Sequence, residues 1–292
     1  MLSFAMHFAS GNSLVSGLVM LFVAYALIVL TSKRSRWRMR TLRLLVFLGA
    51  AFVVLSTTPL PRAVWAALGI SLLPLLAALV MQSNGRPGPR SARAGALMFT
   101  AVAAGVLWSE YVAASTRLPA ETATLPIIVL GDSLSAAETD PKLTAWPELI
   151  AAHGWRVTNN AGIGATAATA LRQVASVDTS DAIVLILIGG NDLLGPTTPG
   201  KFEEALEELV STASTKGTQV VLFELPLPPF RFEWGAIQRR IAKRHEGCRL
   251  VSRRIMAAVL GGDGNTVDGI HLSQKGHDEM ARLVMETVLP PR

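Results

Sequence analysis

Four short blocks carry the residue types that nucleophilic catalysis uses. Gly131-Asp132-Ser133 ends the apolar run that starts at Pro126. Asn160-Ala161-Gly162-Ile163-Gly164 and Gly189-Gly190-Asn191-Asp192 end two more such runs, and Asp268 and His271 stand three apart in VDGIHLS. Together they offer a hydroxyl, backbone and side-chain amide donors, an imidazole and a carboxylate, the set that acyl transfer through an activated serine requires. Taken singly each block has an ordinary alternative. Gly-Asp-Ser is a common turn with a capping serine, Gly-Gly-Asn-Asp suits a loop chosen for its turn conformations, and Asp268 and His271 precede Ser273, itself a good helix cap. The conjunction of all four, on separate loops, is what points to a site.

The elements that must position these blocks alternate in type. Residues 126–131, 156–162, 182–190, 219–226 and 248–252 read as strands. Residues 144–153, 166–176, 199–215, 234–245 and 273–288 read as helices. In 199–215, Phe202, Leu206, Leu209 and Val210 share one face, leaving the glutamates as a solvated side. Near-continuous apolar strands separated by amphipathic helices predict an α/β domain: a parallel sheet of about five strands covered on both faces. In such sheets ligands gather at the carboxyl ends of the strands, where three of the four blocks lie.

The sequence VLGDSLSA, the following AWPELI, the Asn-Ala-Gly-Ile-Gly turn, GGNDL and DGIHLS, in this order, resemble the SGNH or GDSL hydrolase superfamily. The similarity is closest to its bacterial thioesterase, lysophospholipase and arylesterase branch, and covers about 126–289. The resemblance implies a three-layer flavodoxin-like domain with Ser133 as nucleophile, His271 as general base and Asp268 as the carboxylate that orients the imidazole. It implies an oxyanion hole from the Ser133 N–H, a glycine N–H of the second block and the Asn191 amide. That block departs from the family's usual Ser-containing pattern: it reads Gly162-Ile163-Gly164-Ala165. An ungapped alignment from Val157 selects Gly164, whereas a shifted register selects Gly162. Asp132 and Asp192 are expected to hold loops and not to enter the chemistry. The loop LPLPPFRFEW corresponds to one that shapes the acyl site in this branch. Phe230, Phe232 and Trp234 are therefore candidates to line an apolar pocket, beside the alternatives of packing the loop or touching a membrane.

The first 117 residues are of another kind. Apolar runs at about 13–31, 42–58, 63–81 and 94–113 approach the roughly 20 residues needed to cross a bilayer. Pro74 is expected to kink the third. Residues 1–117 carry eleven Lys/Arg and one acid, whereas 118–292 carry sixteen and twenty, a net of −4. The basic residues Lys33, Arg34, Arg36, Arg38, Arg40 and Arg43, and then Arg86, Arg90 and Arg93, fall in alternate loops. By the positive-inside rule these loops face the cytoplasm. The expectation is an all-α transmembrane region of about four helices over 1–117, its N-terminus outside, and a hydrolase domain over 118–292. That domain would lie on the periplasmic side of a bacterial inner membrane. A cleaved signal peptide fits poorly, because positive charge follows the first apolar run. No intramembrane charge pairs or His/Asp relays mark a transport route, so an anchor is expected.

The acidic second half has no basic stripe to suit a nucleic-acid partner. The single cysteine, Cys248, excludes an intrachain disulfide. His7, His153, His245 and His277 stand in no ligand spacing, so neither metal nor cofactor is expected. The sequence thus predicts a membrane-tethered, extracytoplasmic serine esterase that cleaves carboxylic or thioesters through an acyl-enzyme. The alternatives are an O-acetyl esterase or acyltransferase acting on envelope polysaccharide, and a non-catalytic membrane protein whose hydrolase-like domain binds a ligand.

Overall fold

The apolar runs of the N-terminal region all become helices, preceded by one that periodicity did not announce. They are α1 (Leu2–Ala9), α2 (Asn12–Leu30), α3 (Arg36–Leu55), α4 (Arg62–Ser83) and α5 (Ser91–Ala114). The computed structural model describes residues 2–30, 35–84, 86, 90–114, 117–136 and 142–291; Lys33 and Arg34 of the first basic loop lie outside them. The described chain forms two units: Met1–Ser10 with Ala113–Arg292, and Gly11–Val112.

In the helical unit α2 presents Leu14, Leu18, Leu21, Tyr25 and Ile28 to its neighbours, while Val19, Phe22 and Val23 are exposed. A helix apolar on every side suits a lipid surround. Helices α2 and α3 approach closely at glycines: a Cβ on Gly17 would meet the Gly49 carbonyl at 2.6 Å. Small residues at such crossings are how membrane helices bring their backbones together. The Tyr25 hydroxyl donates to the Ser71 carbonyl, one turn before Pro74, where a proline weakens the helix's own hydrogen bonds. Of the four runs expected to span, three helices are long and apolar enough among the described residues: Asn12–Leu30, Arg62–Ser83 and Ser91–Val112. Helix α3 fails on composition, since Arg36, Arg38, Arg40 and Arg43 crowd its first turns.

The second unit holds β1 (Ile127–Gly131), α6 (Ser133–Ala136), α7 (Trp146–Ala152), β2 (Val157–Asn159), α8 (Ala167–Ala175), β3 (Ile183–Leu187), α9 (Gly190–Leu194), α10 (Pro199–Ala213), β4 (Gln219–Phe223), α11 (Phe232–Arg244), β5 (Cys248–Val251), α12 (Arg253–Gly261) and α13 (Gln274–Thr287). The strands form one parallel sheet in the order β2-β1-β3-β4-β5, as in doubly wound flavodoxin-like folds. Alternate residues feed two cores. Ile128, Leu130, Val184 and Ile186 pack under α8, α10 and α11, whereas Ile127, Val129, Ile183 and Leu185 pack under α7, α12 and α13. The three-layer α/β expectation is met. All five expected strands and all five expected helices appear with trimmed ends, except that α11 starts two residues earlier, at Phe232, while α6, α9 and α12 are additional.

Two ties close this unit. The Leu118 N–H donates to the Val288 carbonyl at 2.8 Å, joining its first residues to the end of α13. At the carboxyl ends of β4 and β5, Glu224 is buried between Arg253 (3.0 Å) and Arg239 (2.7 Å). Breaking such a pair leaves an uncompensated charge in the core, typically costing about 3–5 kcal/mol.

Candidate active site

The reversal of strand order lies between β1 and β3, and their carboxyl ends carry Ser133 and Asn191. A crevice there is where doubly wound sheets bind ligands. The chain leaves β1 at Gly131, where a side chain is excluded: a Cβ would lie 2.9 Å from both the Leu187 carbonyl and Ser135 Oγ. The Gln173 amide on α8 grips the Gly131 peptide from both sides. The Gly131 N–H donates to Gln173 Oε1 at 3.0 Å, and Gln173 Nε2 donates to the Gly131 carbonyl at 2.9 Å. Ser133 then opens the single turn α6. Asp132 organises that turn: Oδ1 accepts from the Leu134 N–H at 3.0 Å, and its carbonyl accepts from Ser135 and Ala136. Among the described residues, the Ser133 N–H and Oγ have no protein partner and remain available to a substrate.

Beyond β3, Gly189 has φ 111°, a backbone that L side chains rarely adopt, and a Cβ there would also strike Phe202 and Leu225. This turn delivers Asn191 and Asp192 to the loop that follows β2. Asn191 Nδ2 donates to the Ala165 carbonyl at 3.0 Å, which uses one of its two hydrogens. Asp192 Oδ2 accepts from the Ala167 N–H at 2.9 Å, and the Thr197 hydroxyl is a further partner. Both acids beside the key residues thus hold loops. Burial pushes the Asp132 carboxyl up to about 6, against the lowering influence of the Leu134 N–H and of His271. Burial also raises Asp192.

The two glycines of the second block differ in what their amides do. The Gly162 N–H donates to the Gly131 carbonyl at 3.0 Å, whereas the Gly164 N–H meets no protein acceptor among the described residues. The space beside the Gly164 α-carbon is open. An open groove of about 480 Å³ runs along this loop, with Gly164, Arg172 and Gln173 among its lining residues.

Asp268 and His271 sit at the tip of a small hairpin. The Val267 N–H donates to the His271 carbonyl at 3.0 Å and the Ser273 N–H to the Asn265 carbonyl at 2.9 Å. Ser273 caps α13 through the Gly276 N–H. Asp268 Oδ1 accepts from the backbone N–H groups of Ile270 and His271 at 2.9 and 2.8 Å, and Oδ2 meets His271 Nδ1 at 2.7 Å. The His271 side chain and these N–H groups hold the Asp268 carboxyl far below the usual range. With Nδ1 engaged, Nε2 is the nitrogen left to exchange a proton. No hydrogen bond yet joins it to Ser133 Oγ, a contact that in unliganded hydrolases often tightens only around substrate.

The aromatic candidates separate. Trp234 is 2% exposed and stacks on Phe202, with ring centroids 4.7 Å apart, inside the α10–α11 core. Its place in the expected pocket is corrected: at the third position of α11 it faces the sheet. Phe230 and Phe232 are exposed. Of residues 117–291, the exposed large apolar side chains are Ile163, Leu194, Phe230, Phe232, Val267 and Ile270: Leu194 ends α9, Phe232 opens α11, and the other four lie on the loops after β2 and β4 and on the Asp268–His271 hairpin. Cys248 lies half-buried in β5, its thiol pushed up to about 12 by burial, which makes it a poor nucleophile. Among the described residues no three His, Cys, Asp or Glu side chains gather as a metal site. Sequence reading missed Gln173, which looks like any polar residue of a helix surface.

A sequence profile of the GDSL-like Lipase/Acylhydrolase family matches residues 129–279. Esterase TesA of Pseudomonas aeruginosa is 29% identical over 142 residues, 46% of this chain and 66% of that protein. The arylesterase of Vibrio mimicus is 34% identical over 119 residues, 38% of this chain and 59% of that protein. The chain therefore spans slightly less than two thirds of the length of these curated relatives. A crystal structure of TesA, 28% identical, covers 56% of this chain and is itself covered to 97%, with a TM-score of 0.49.

Proposed function

The chain belongs to the GDSL-like lipase/acylhydrolase family, and from that membership we propose that it is a serine esterase working through an acyl-enzyme on Ser133. The observation that carries this reading is the 2.7 Å contact between Asp268 Oδ2 and His271 Nδ1 on the sheet edge that also bears Ser133 and Asn191. Ser133 Oγ attacks the ester carbonyl carbon and its proton passes to His271 Nε2. Asp268 keeps the imidazole in the tautomer that can accept that proton and stabilises the imidazolium. The carbonyl oxygen becomes an oxyanion held by the Ser133 and Gly164 N–H groups and the second Asn191 amide hydrogen. Collapse breaks the bond to the alcohol, which leaves with the proton from His271. Water, deprotonated by the same imidazole, then releases the acid and restores Ser133.

Apolar acyl esters are the proposed substrates, because of residues 117–291 the exposed large apolar side chains Ile163, Leu194, Phe230, Phe232, Val267 and Ile270 gather around the site. The three apolar helices of 1–117 support membrane attachment, and the arginines of alternate loops support an extracytoplasmic catalytic domain. A second reading, acyl transfer to a polar acceptor, is favoured by the groove that passes Gly164 and Arg172. Replacing Ser133 with alanine is expected to abolish hydrolysis of a short p-nitrophenyl ester, by about 10⁴-fold or more, with an unchanged circular dichroism spectrum. Retained turnover would refute the assignment. A fluorophosphonate probe that labels the wild type but not this variant would exclude a purely binding domain. Product analysis with added sugar alcohols separates hydrolysis from transfer.

A further inference from the structure

Residues 2–10 lie with the catalytic unit, not with the helices that follow them. Helix α1 packs along α12 so closely that the Gly261 α-carbon is covered by Met6, whose Cβ lies 3.1 Å from where a Gly261 Cβ would stand. Phe8, Ala9 and Ser10 are buried, and the Ala9 carbonyl accepts the Leu227 N–H of the loop after β4 at 3.4 Å. That loop carries Phe230. The chain thus leaves the catalytic unit after Ser10 and re-enters it at Ala113. Two points in one folded unit lie on one side of a membrane, so the segment between them crosses an even number of times. Three helices alone would place them on opposite sides.

We infer that α3 is a fourth span, and that both ends of the helical region face the catalytic side. The inference rests on the reading that this region is embedded in a membrane. The arginines that disqualify α3 by composition cluster at one end, where long side chains reach out of the apolar layer. Arg38 Nη2 donates to the Leu27 carbonyl at 2.7 Å, at the end of α2. The 20 residues of α3 rise about 30 Å, which matches a hydrocarbon layer of about 30 Å when the arginines of its first turns reach outward. Non-helical backbone at that depth must be shielded by protein, and Ser56, Thr57, Thr58 and Leu60 are all buried, with Ser56 Oγ 2.9 Å from Thr58 Oγ1. Four crossings also put Arg36–Arg43 and Arg86–Arg93 on one side, whereas three would divide them.

The test uses the full chain in sealed, right-side-out membrane vesicles, in a Cys248→Ser background. Single replacements Phe4→Cys and Lys201→Cys are expected to react with a membrane-impermeant maleimide, and Arg38→Cys and Arg90→Cys only after permeabilisation. Labelling of Arg90→Cys with Phe4→Cys, while Lys201→Cys stays protected, gives an odd count and overturns the inference. Release of the chain by alkaline carbonate, with equal labelling everywhere, overturns the membrane reading itself and is distinguishable from that result. A Met6→Cys/Gly261→Cys pair, with a protease site inserted after Asn84, is expected to hold both fragments together until reduced. Should Gly261→Cys prevent folding, Met6→Cys alone is expected to resist the maleimide that labels Phe4→Cys. Failure of both the cross-link and the protection overturns the docking of α1.

Discussion

The two units display apolar side chains in opposite ways. In Gly11–Val112 they point outward from every helix, as Phe22, Phe47, Leu73 and Leu97 do, whereas in residues 117–291 the large ones are confined to one rim. An outward leucine carries little information where the whole surface is apolar, and much where it is the exception. Glycine differs similarly. At Gly17 and Gly49 its bareness lets two helices touch, and at Gly189 its backbone freedom turns a strand into a donor loop. One unit is specified by packing along its length; the other by a few hydrogen bonds at one edge.

This contrast can be broken by substitutions in each unit. The largest effect is expected at the catalytic edge, where Asn191→Ala should lower kcat by on the order of 10²–10³ with a minor change in melting temperature. A fall in stability of the size of the fall in rate would move Asn191 from chemistry to scaffolding. Gly17→Leu should act in the reverse sense, destabilising the helical unit by about 1–3 kcal/mol while the surviving protein keeps its kcat. Thermal inactivation in detergent, read beside active-site titration, separates the two. Smaller again, the paired change Ile163→Ser with Ile270→Ser should raise KM for long-chain esters roughly three- to tenfold and leave acetyl esters unaffected. Equal changes for both would detach the rim from acyl recognition.

The smallest expected effect concerns Asp132. Its folded-state carboxyl, raised from 3.8 to about 6, binds a proton more tightly than the unfolded chain does. Stability therefore falls as pH rises from about 4 to about 6, and the deficit persists above that range. Asp132→Asn, which keeps an acceptor for the Leu134 N–H, should raise the melting temperature by a few degrees at pH 8. The gain should vanish below pH 4, as melting curves across that range would reveal.

How much of this was legible in the sequence varies with the range of the interaction. The strands announced themselves as uninterrupted aliphatic runs, because a parallel sheet buries both faces. Ser133, Asn191, Asp268 and His271 stood in short blocks whose conjunction suggested their proposed roles. The sequence could not show that the Gly162 amide turns back to Gly131, the observation on which the proposal of Gly164 as oxyanion donor rests. Trp234 was misplaced because an aromatic-rich loop reads the same whether its rings face a pocket or a core; the first turn of α11 decided it. Helix α12 stayed hidden behind Arg253, a buried charge that pairs with the buried Glu224. Helix α1 was too short to show a period, and its partner lies some 250 residues away in the chain.

The Gly131 amide hydrogen is held by the Gln173 side chain and not by a neighbouring strand, so its release to solvent requires one rotamer change and no separation of the sheet. Native-state hydrogen exchange should accordingly find this amide on a faster clock than that of Val129 or Leu187, set by sub-global opening. A single exchange rate, two residues from Ser133, would then register how often the footing of the proposed nucleophile loosens.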